Sequence, residues 1–288
     1  MPRTPLARTT VRDALDSALI ALTAAGCDTP RLDAEVLLAA AMGVDRGALI
    51  ADPGRGMEPS EARAFSDAAR RRVQREPVAY ILGRKGFRRL ELAVDPRVLV
   101  PRPETEHVVE ATLGLPAGAR VVDVGTGSGA IALALADERP DLRVVGTESS
   151  AGALAVARAN AARLGLAVEL VEGDLLDPVT GPVDAVVSNP PYVRLGETLP
   201  PEVGYEPREA LYGGPDGLDA FRRLAPATAA AGATFAAFEV GAGQAAAVEA
   251  LLLAADFETT ERVPDLAGID RVVVARRAKI SVDPTQGV

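Results

Sequence analysis

From Arg120 onward, short apolar runs alternate with helical stretches, and that alternation leaves few folds open. Candidate strands are Arg120–Val124, Arg143–Thr147, Val168–Val171, Val183–Ser188, Thr234–Glu239, Phe257–Arg262 and Arg271–Ala275. Helical patterns fall at Ile131–Ala136, Ala151–Leu164, Leu218–Ala230 and Gln244–Ala254. Runs that are apolar throughout, separated by helices, predict an α/β fold: a mostly parallel, Rossmann-like sheet of seven strands covered on both faces. In such sheets ligands bind beyond the carboxyl ends of the strands, near the point where strand order reverses. Functional residues are therefore sought just after each strand.

The rest of the chain has a different texture. Residues 1–82 read as a small Ala-rich helical bundle, with Thr10 capping a helix that stops at Gly26, and with Pro30 and Pro59 suited to first turns. Residues 83–100 carry Phe87, Leu90, Leu92, Val94, Val98 and Val100 at strand-like spacing and are assigned to a β-hairpin linker. Pro101-Arg102-Pro103 then precedes a helix from about Glu104 to Leu113. The sheet domain is placed at 101–279, and 280–288 lacks periodicity and reads as a loose tail.

Net charge is −9, unevenly divided. Residues 1–100 carry 16 Lys/Arg against 13 Asp/Glu, whereas residues 101–288 carry 15 against 27. So acidic a sheet domain repels a phosphate backbone, and direct DNA binding is not expected. The basic stretches Arg70–Arg75 and Arg84–Arg89 read as a solvated helix face and a solvated turn. No apolar run is long enough to span a bilayer and no export signal is visible, so a cytoplasmic protein without membrane contact is expected. Cys27 and His107 are the only residues of their types, which argues against a zinc site. His107 reads as an exposed residue at a helix start.

Two motifs follow strands. The first is Asn189-Pro190-Pro191-Tyr192, directly after Val183–Ser188. Asn189 brings a side-chain carbonyl acceptor, and Pro190 a backbone carbonyl with no N–H of its own. Together they suit gripping the N–H bonds of a planar amide or amine, with Pro191 stiffening the turn and the Tyr192 ring covering the guest. The second is Gly125-Thr126-Gly127-Ser128-Gly129, between the first strand and its helix, with Glu148 closing the second strand. Glycines allow close approach of a ligand to the backbone, and the carboxylate can accept from ribose hydroxyls. That loop alone fits nicotinamide and adenosylmethionine cofactors equally. Asp174, placed to accept from an adenine amino group, and Leu175, placed to cover the base, tip the reading toward S-adenosyl-L-methionine, as does Asn189.

These residues resemble the protein-(glutamine-N5) methyltransferases that modify peptide chain release factors (PrmC/HemK type). The likeness runs from about Pro77 to Ala275. It rests on Pro77–Gly83, Leu99–Glu106 with its Pro-Arg-Pro-Glu-Thr-Glu, Asp123–Gly129, Asn189–Tyr192, Glu206–Leu211 and Gly213–Leu218. The resemblance implies a five-helix N-terminal substrate-recognition domain, a β-hairpin connection and a class I methyltransferase sheet whose last strand is antiparallel. It also implies methyl transfer from S-adenosyl-L-methionine, leaving S-adenosyl-L-homocysteine, to the glutamine of a release factor's Gly-Gly-Gln loop. Gly125 to Gly129, Glu148, Leu175 and Asn189 are then cofactor contacts, and Asn189 to Tyr192 the glutamine pocket. Glu148 stands where Asp is commoner in the family.

Asn-Pro-Pro-Tyr is shared with adenine-N6 DNA methyltransferases, the main alternative, since a flipped adenine presents a similar N–H₂ group. A nicotinamide oxidoreductase and a non-catalytic binder of translation factors are more distant readings.

Overall fold

The computed structural model describes residues 9–278, so the tail assigned to 280–288 lies outside the described residues. Contacts divide the chain into two units, one of Met1–Gly83 with Leu199–Tyr205 and the other of Arg84–Thr198 with Glu206–Val288. This grouping is not the contiguous division expected from the sequence. A short segment from the middle of the chain belongs with the N-terminal helices.

The helical unit holds α1 (Val11–Ala24), α2 (Pro30–Met42), α3 (Arg46–Ala51), α4 (Pro59–Val73) and α5 (Val78–Leu82). Thr10 caps α1 reciprocally, its hydroxyl accepting from Asp13 N while the Asp13 carboxylate accepts from Thr10 N. Pro30 and Pro59 occupy first turns, where a missing N–H costs nothing. Leu22, Leu37, Leu38 and Leu49 are buried together, each contributing about 1.5–3 kcal/mol of apolar burial.

Within this unit the basic run Arg70–Arg75 is a solvated face only in part, with Arg70 and Arg71 exposed but Arg72 and Arg75 turned inward. Arg72 is buried, with Nε 2.7 Å from Asp33 Oδ2 and Nη2 2.8 Å from Glu202 Oε1. Arg75 reaches both oxygens of Glu202, at 2.7 and 2.6 Å. Glu202 belongs to a 3₁₀ turn, Pro201–Tyr205, far along the sequence. That distance is why the pairing could not be read from the run itself. Arg88, in the second basic stretch, likewise pairs with Glu138 and Glu110.

The second unit opens with a hairpin, β1 (Arg84–Phe87) and β2 (Leu90–Ala93), paired antiparallel. It packs with the sheet rather than forming a separate linker. Phe87 and Leu92 enter the sheet core, and Asn160 bonds both Ala93 N and Ala93 O. The Pro-rich segment leads through a 3₁₀ turn, Pro103–Thr105, into α6 (Glu106–Thr112).

There follow β3 (Arg120–Val124), α7 (Ala130–Glu138), β4 (Arg143–Glu148), α8 (Ala151–Leu164), β5 (Glu169–Glu172) and β6 (Ala185–Ser188). The unit ends with α9 (Asp219–Ala230), β7 (Phe235–Glu239), α10 (Ala245–Ala254), β8 (Thr259–Pro264) and β9 (Asp270–Arg276). The seven-stranded sheet has the order β5-β4-β3-β6-β7-β9-β8, and only β9 runs antiparallel to its neighbours β7 and β8. Successive residues serve opposite faces. Val121, Ala185 and Val187 join one core, while Val122, Val124 and Val186 join the other. Both faces are covered, which is why these strands read as unbroken apolar runs. Among the described residues no helix is long and apolar enough to cross a membrane.

Burial alone would raise the Glu202 carboxyl, but hydrogen bonds from Arg75 and Arg72 more than offset it and hold the pKa at about 2. Glu202→Gln leaves two guanidinium groups without their carboxylate and is expected to cost about 3 kcal/mol at pH 7. Because the folded-state pKa is depressed, this stabilisation is fully present above the ordinary carboxyl range and is lost as pH falls toward 2. Urea unfolding of both forms should show the gap closing over that window. A gap independent of pH would assign the effect to packing.

Candidate active site

Strand order reverses between β3 and β6, and both candidate motifs emerge there. β3 pairs with β6 in parallel, with Val124 opposite Ser188, and the Ser188 hydroxyl donates to Val124 O at 2.7 Å. Gly125 and Asn189, the next residues of each strand, therefore start their loops side by side.

The glycine loop is held from below and from one side. Gly125 N and Thr126 N donate to Thr147 O at the end of β4. Beneath the loop, Asp123 Oδ2 accepts from the Thr126 hydroxyl at 2.6 Å and from Ala132 N at 3.1 Å. Asp123 Oδ1 is buried with no hydrogen-bond partner. Burial pushes this carboxyl up to about 7, with the two hydrogen bonds opposing and the nearby Glu148 charge adding to the rise. Glu148 accepts from Gly127 N through Oε2 and from Ser150 N through Oε1, each at 2.9 Å. Each of its oxygens keeps a lone pair, so the carboxylate can still receive ribose hydroxyls.

A cavity of about 300 Å³ opens above these strand ends. It gathers Gly125 to Ser128, Glu148, Asp174, Leu175 and Asn189 to Pro191. Gly125 and Gly127 have φ of +70° and +56°, and no atom lies within 4 Å of where a Cβ would stand on either. The loop thus presents bare backbone to open space, as close approach of a nucleoside-sized group requires. Leu175, also on the lining, has a left-handed backbone at φ 47°, with its carbonyl accepting from the Thr147 hydroxyl at 2.7 Å. Asp174 is half exposed and pairs with Arg223, another lining residue, so a base amino group would share the carboxylate with that guanidinium.

Two sequence candidates stand off the cavity lining. Gly129 caps α7 at φ +87°, and a Cβ there would lie 2.8 Å from Leu133 Cδ1, so packing as well as backbone conformation calls for glycine. Tyr192 turns its hydroxyl to Glu239, donating to Oε1 at 3.2 Å, and packs against the core beneath the sheet. Burial, with the neighbouring Glu239 charge, pushes the Tyr192 hydroxyl pKa up. His107 is partly covered on α6, its Nδ1 3.3 Å from a Glu110 oxygen, and is not the exposed residue expected.

Several contributors were not foreseen. Asn189 Nδ2 donates to the buried Thr105 hydroxyl at 3.0 Å, which leaves Oδ1 as the free acceptor. Glu206 accepts from Val100 N and from Arg102, fixing the Pro-Arg-Pro-Glu-Thr-Glu segment that carries Thr105. Gln244 Nε2 donates to Tyr192 O at 3.0 Å. Gly213 and Gly217 approach so closely that a Cβ would stand 2.3 Å from Pro191 O and 2.2 Å from Tyr192 O. Thr105, Glu206, Gly213 and Gly217 all lie in the quoted motifs, so their presence was visible and their partners were not. For Glu239 the available signal was a carboxylate ending an otherwise apolar strand.

Comparison with known proteins agrees with this architecture. Residues 13–83 match the family model described as PrmC N-terminal domain, and residues 106–201 the one described as Methyltransferase small domain. The chain is 44% identical over 279 residues to the release factor glutamine methyltransferase of Moorella thermoacetica, covering 93% of this chain and 99% of that one. It is 43% identical to the enzyme of the same name from Geobacter sulfurreducens (93% and 96% covered). The Mycolicibacterium smegmatis relative, again of that name, is 41% identical (93% and 98%). Among solved structures, the hMettl16 catalytic domain in complex with the MAT2A 3′UTR hairpin 1 aligns with TM-score 0.54 and 16% identity, covering 77% of this chain and 83% of that one. A methyltransferase from Pyrococcus furiosus aligns with TM-score 0.52 and 19% identity (65% and 88%). At such identities these two speak for the fold alone.

If Gly217 is required because two backbones meet there, Gly217→Ala should destabilise by about 2–4 kcal/mol, overpacking adding to left-handed strain. Gly165→Ala, at φ +67° with open space around it, should cost only about 1–2 kcal/mol of strain. Thermal unfolding of both variants checks this. Equal losses would show that backbone conformation alone demands the glycine.

Proposed function

The chain belongs to the release factor glutamine methyltransferases, and from that premise we propose that its cavity takes S-adenosyl-L-methionine and that Asn189 and Pro190 present the substrate glutamine to it. The observation that carries this reading is the Asn189 carboxamide, which donates one N–H to Thr105 while its oxygen is free. An oxygen so placed only accepts, so it favours a guest that brings a donor, as the N–H₂ of a primary amide does.

The residues able to hold the cofactor are those of the glycine loop, with Glu148 for ribose hydroxyls and Asp174 and Leu175 for the base. When bound, the cofactor supplies an electrophilic methyl group on a sulfonium centre. An amide nitrogen is a poor nucleophile because its lone pair is delocalised into the carbonyl. Asn189 Oδ1 and the Pro190 carbonyl, each accepting one N–H, orient that nitrogen and stabilise the positive charge that develops on it. The surplus proton leaves afterward to solvent. No general base is needed in contact with the nitrogen.

The substrate proposed is the glutamine of a release factor's Gly-Gly-Gln loop. An isolated glutamine offers little binding energy, so the helical unit is proposed to supply recognition of the rest of the release factor. Work on translation factors implies a cytoplasmic enzyme. DNA adenine would meet the same two acceptors, but the sheet half of the chain is strongly acidic and the relatives are named for release factors.

Asn189→Ala should lower turnover by about 10²-fold or more, the scale of losing one group that acts in the transition state, with little change in cofactor affinity. Methylation of intact release factor by the wild-type chain, located by mass spectrometry, tests the substrate. Label appearing in DNA and none in release factor would overturn the reading.

A further inference from the structure

We propose that Glu209 is a specificity-determining residue that favours the charged methyl donor over the neutral product, by setting a carboxylate at the sulfonium end of the cavity. The inference deepens the proposed cofactor reading and rests on it.

Donor and product share the adenosine, the amino group and the carboxylate. They differ by one methyl group and one positive charge at sulfur. As the amide nitrogen's electron pair forms the new N–C bond, the C–S pair stays on sulfur, which becomes a neutral thioether, and the nitrogen's surplus proton goes to solvent. Charge is therefore a handle by which a cavity can prefer what it must take up over what it must release.

The cavity lining carries five charged residues, Arg97, Glu148, Asp174, Glu209 and Arg223. Four of them are committed. Arg97 pairs with Asp95 at 2.6 Å, Asp174 pairs with Arg223, and Glu148 accepts from the backbone N–H groups of Gly127 and Ser150. Glu209 is exposed, and among the described residues no hydrogen bond or ion pair engages its carboxylate. The neighbouring Arg208 is directed over the Tyr212 ring instead, 4.8 Å from its centroid.

An unpaired carboxylate on an open surface needs no explanation, but this one is mounted on a cavity wall tied down at both ends. Glu209 lies in a 3₁₀ turn, Arg208–Ala210. Just before it, the buried Glu206 carboxylate accepts from Val100 N and pairs with Arg102. Just after it, Leu211 O accepts from Val193 N at 2.8 Å, and Tyr212 N donates back to Arg208 O at 3.0 Å. Val193 directly follows the Asn-Pro-Pro-Tyr turn, so the 3₁₀ turn stands on the Asn189 side of the cavity. The residues assigned to the base, Asp174 and Leu175, follow β5, which β4 and β3 separate from β6. The transferred methyl must face the amide held at Asn189, so the sulfur belongs at the Asn189 end. A carboxylate there attracts a sulfonium and has no comparable hold on a thioether. Its effect falls on binding, because the positive charge is present in the donor before the transition state is reached.

The test is calorimetric binding of three ligands to wild type and Glu209→Gln: S-adenosyl-L-methionine, S-adenosyl-L-homocysteine, and sinefungin, which carries an ammonium group in the place of the sulfonium. The variant should lose about fivefold in affinity for the two charged ligands, the scale of one solvated ion pair, and keep its affinity for the neutral product. Raising salt to about 1 M, where screening acts within about 3 Å, should shrink the wild-type preference toward that of the variant. Equal weakening of all three ligands would put the carboxylate at the amino group they share, and three unchanged affinities would leave it a surface residue; either result overturns the proposal. A wild type that binds neither donor nor product sinks the cofactor reading first and the role of Glu209 with it.

Discussion

The parallel pairing of β3 with β6 is the constraint on which the rest of the site depends. It sets Val124 opposite Ser188, and so brings the glycine loop and the Asn-Pro-Pro-Tyr turn out of the sheet as neighbours. Each further strand adds one wall to the cavity, β4 through Glu148 and β5 through the Asp174-Leu175 turn that follows it. The register admits little freedom, because side chains alternate between two filled cores. A slip of one residue in β3 would drive Val122 and Val124 out of their face and pull Asp123 from beneath the loop it supports. The sheet's hydrophobic packing therefore fixes the placement of polar groups that contribute little to stability themselves.

Position after a strand end is not enough for a turn rich in proline, which has few N–H groups to anchor it. Support comes instead from residues distant in sequence. Gln244 holds the Tyr192 carbonyl, and the backbone around Gly213 and Gly217 lies against the Pro191 and Tyr192 carbonyls. Glu206, nearly fully buried, is satisfied by Val100 N and Arg102 and so fixes the segment that delivers Thr105. Such charge-assisted bonds are strong where solvent is excluded. The separate sequence motifs are thus parts of one mount: one turn, the glycines that pack on it, and the segment that orients its asparagine.

Much of this fold was legible because its causes are local or periodic. The apolar runs marked seven strands, with boundaries displaced by a residue or two: β5 spans Glu169–Glu172 where Val168–Val171 was expected, and β8 spans Thr259–Pro264 where Phe257–Arg262 was. Thr10, Pro30 and Pro59 announced their helices through capping and first-turn chemistry. The cavity's glycines, Glu148, Asp174, Leu175 and Asn189 were legible because ligands gather after strand ends. What escaped depends on long-range partners. Nothing near Arg72 in sequence signals Glu202, and an arginine-rich stretch gives the same local pattern whether solvated or buried. Tyr192 shows the same limit from the other side. Its ring was assigned to the guest because an aromatic beside a pocket suits that work, but the buried carboxylate on the next strand engages its hydroxyl.

The carboxyl groups of this protein separate support from function by how fully they are satisfied. Glu202 meets two guanidinium groups and is held at about 2, so it stays ionised and acts as a fixed anchor. Glu239 and Asp123 are buried with one oxygen each left unpartnered, and both rise to about 7. An unsatisfied buried oxygen costs about 1–3 kcal/mol, which an apolar residue at the same place would avoid. Stability therefore does not explain either group. Asp123 stands under the glycine loop and takes the Thr126 hydroxyl, and Glu239 takes the hydroxyl of Tyr192 at the end of the Asn-Pro-Pro-Tyr turn, each at a place where the direction of a hydrogen bond matters more than its strength. An ionised carboxylate in a dry site accepts only, and so it sets the direction of each hydroxyl it meets, Thr126 for Asp123 and Tyr192 for Glu239.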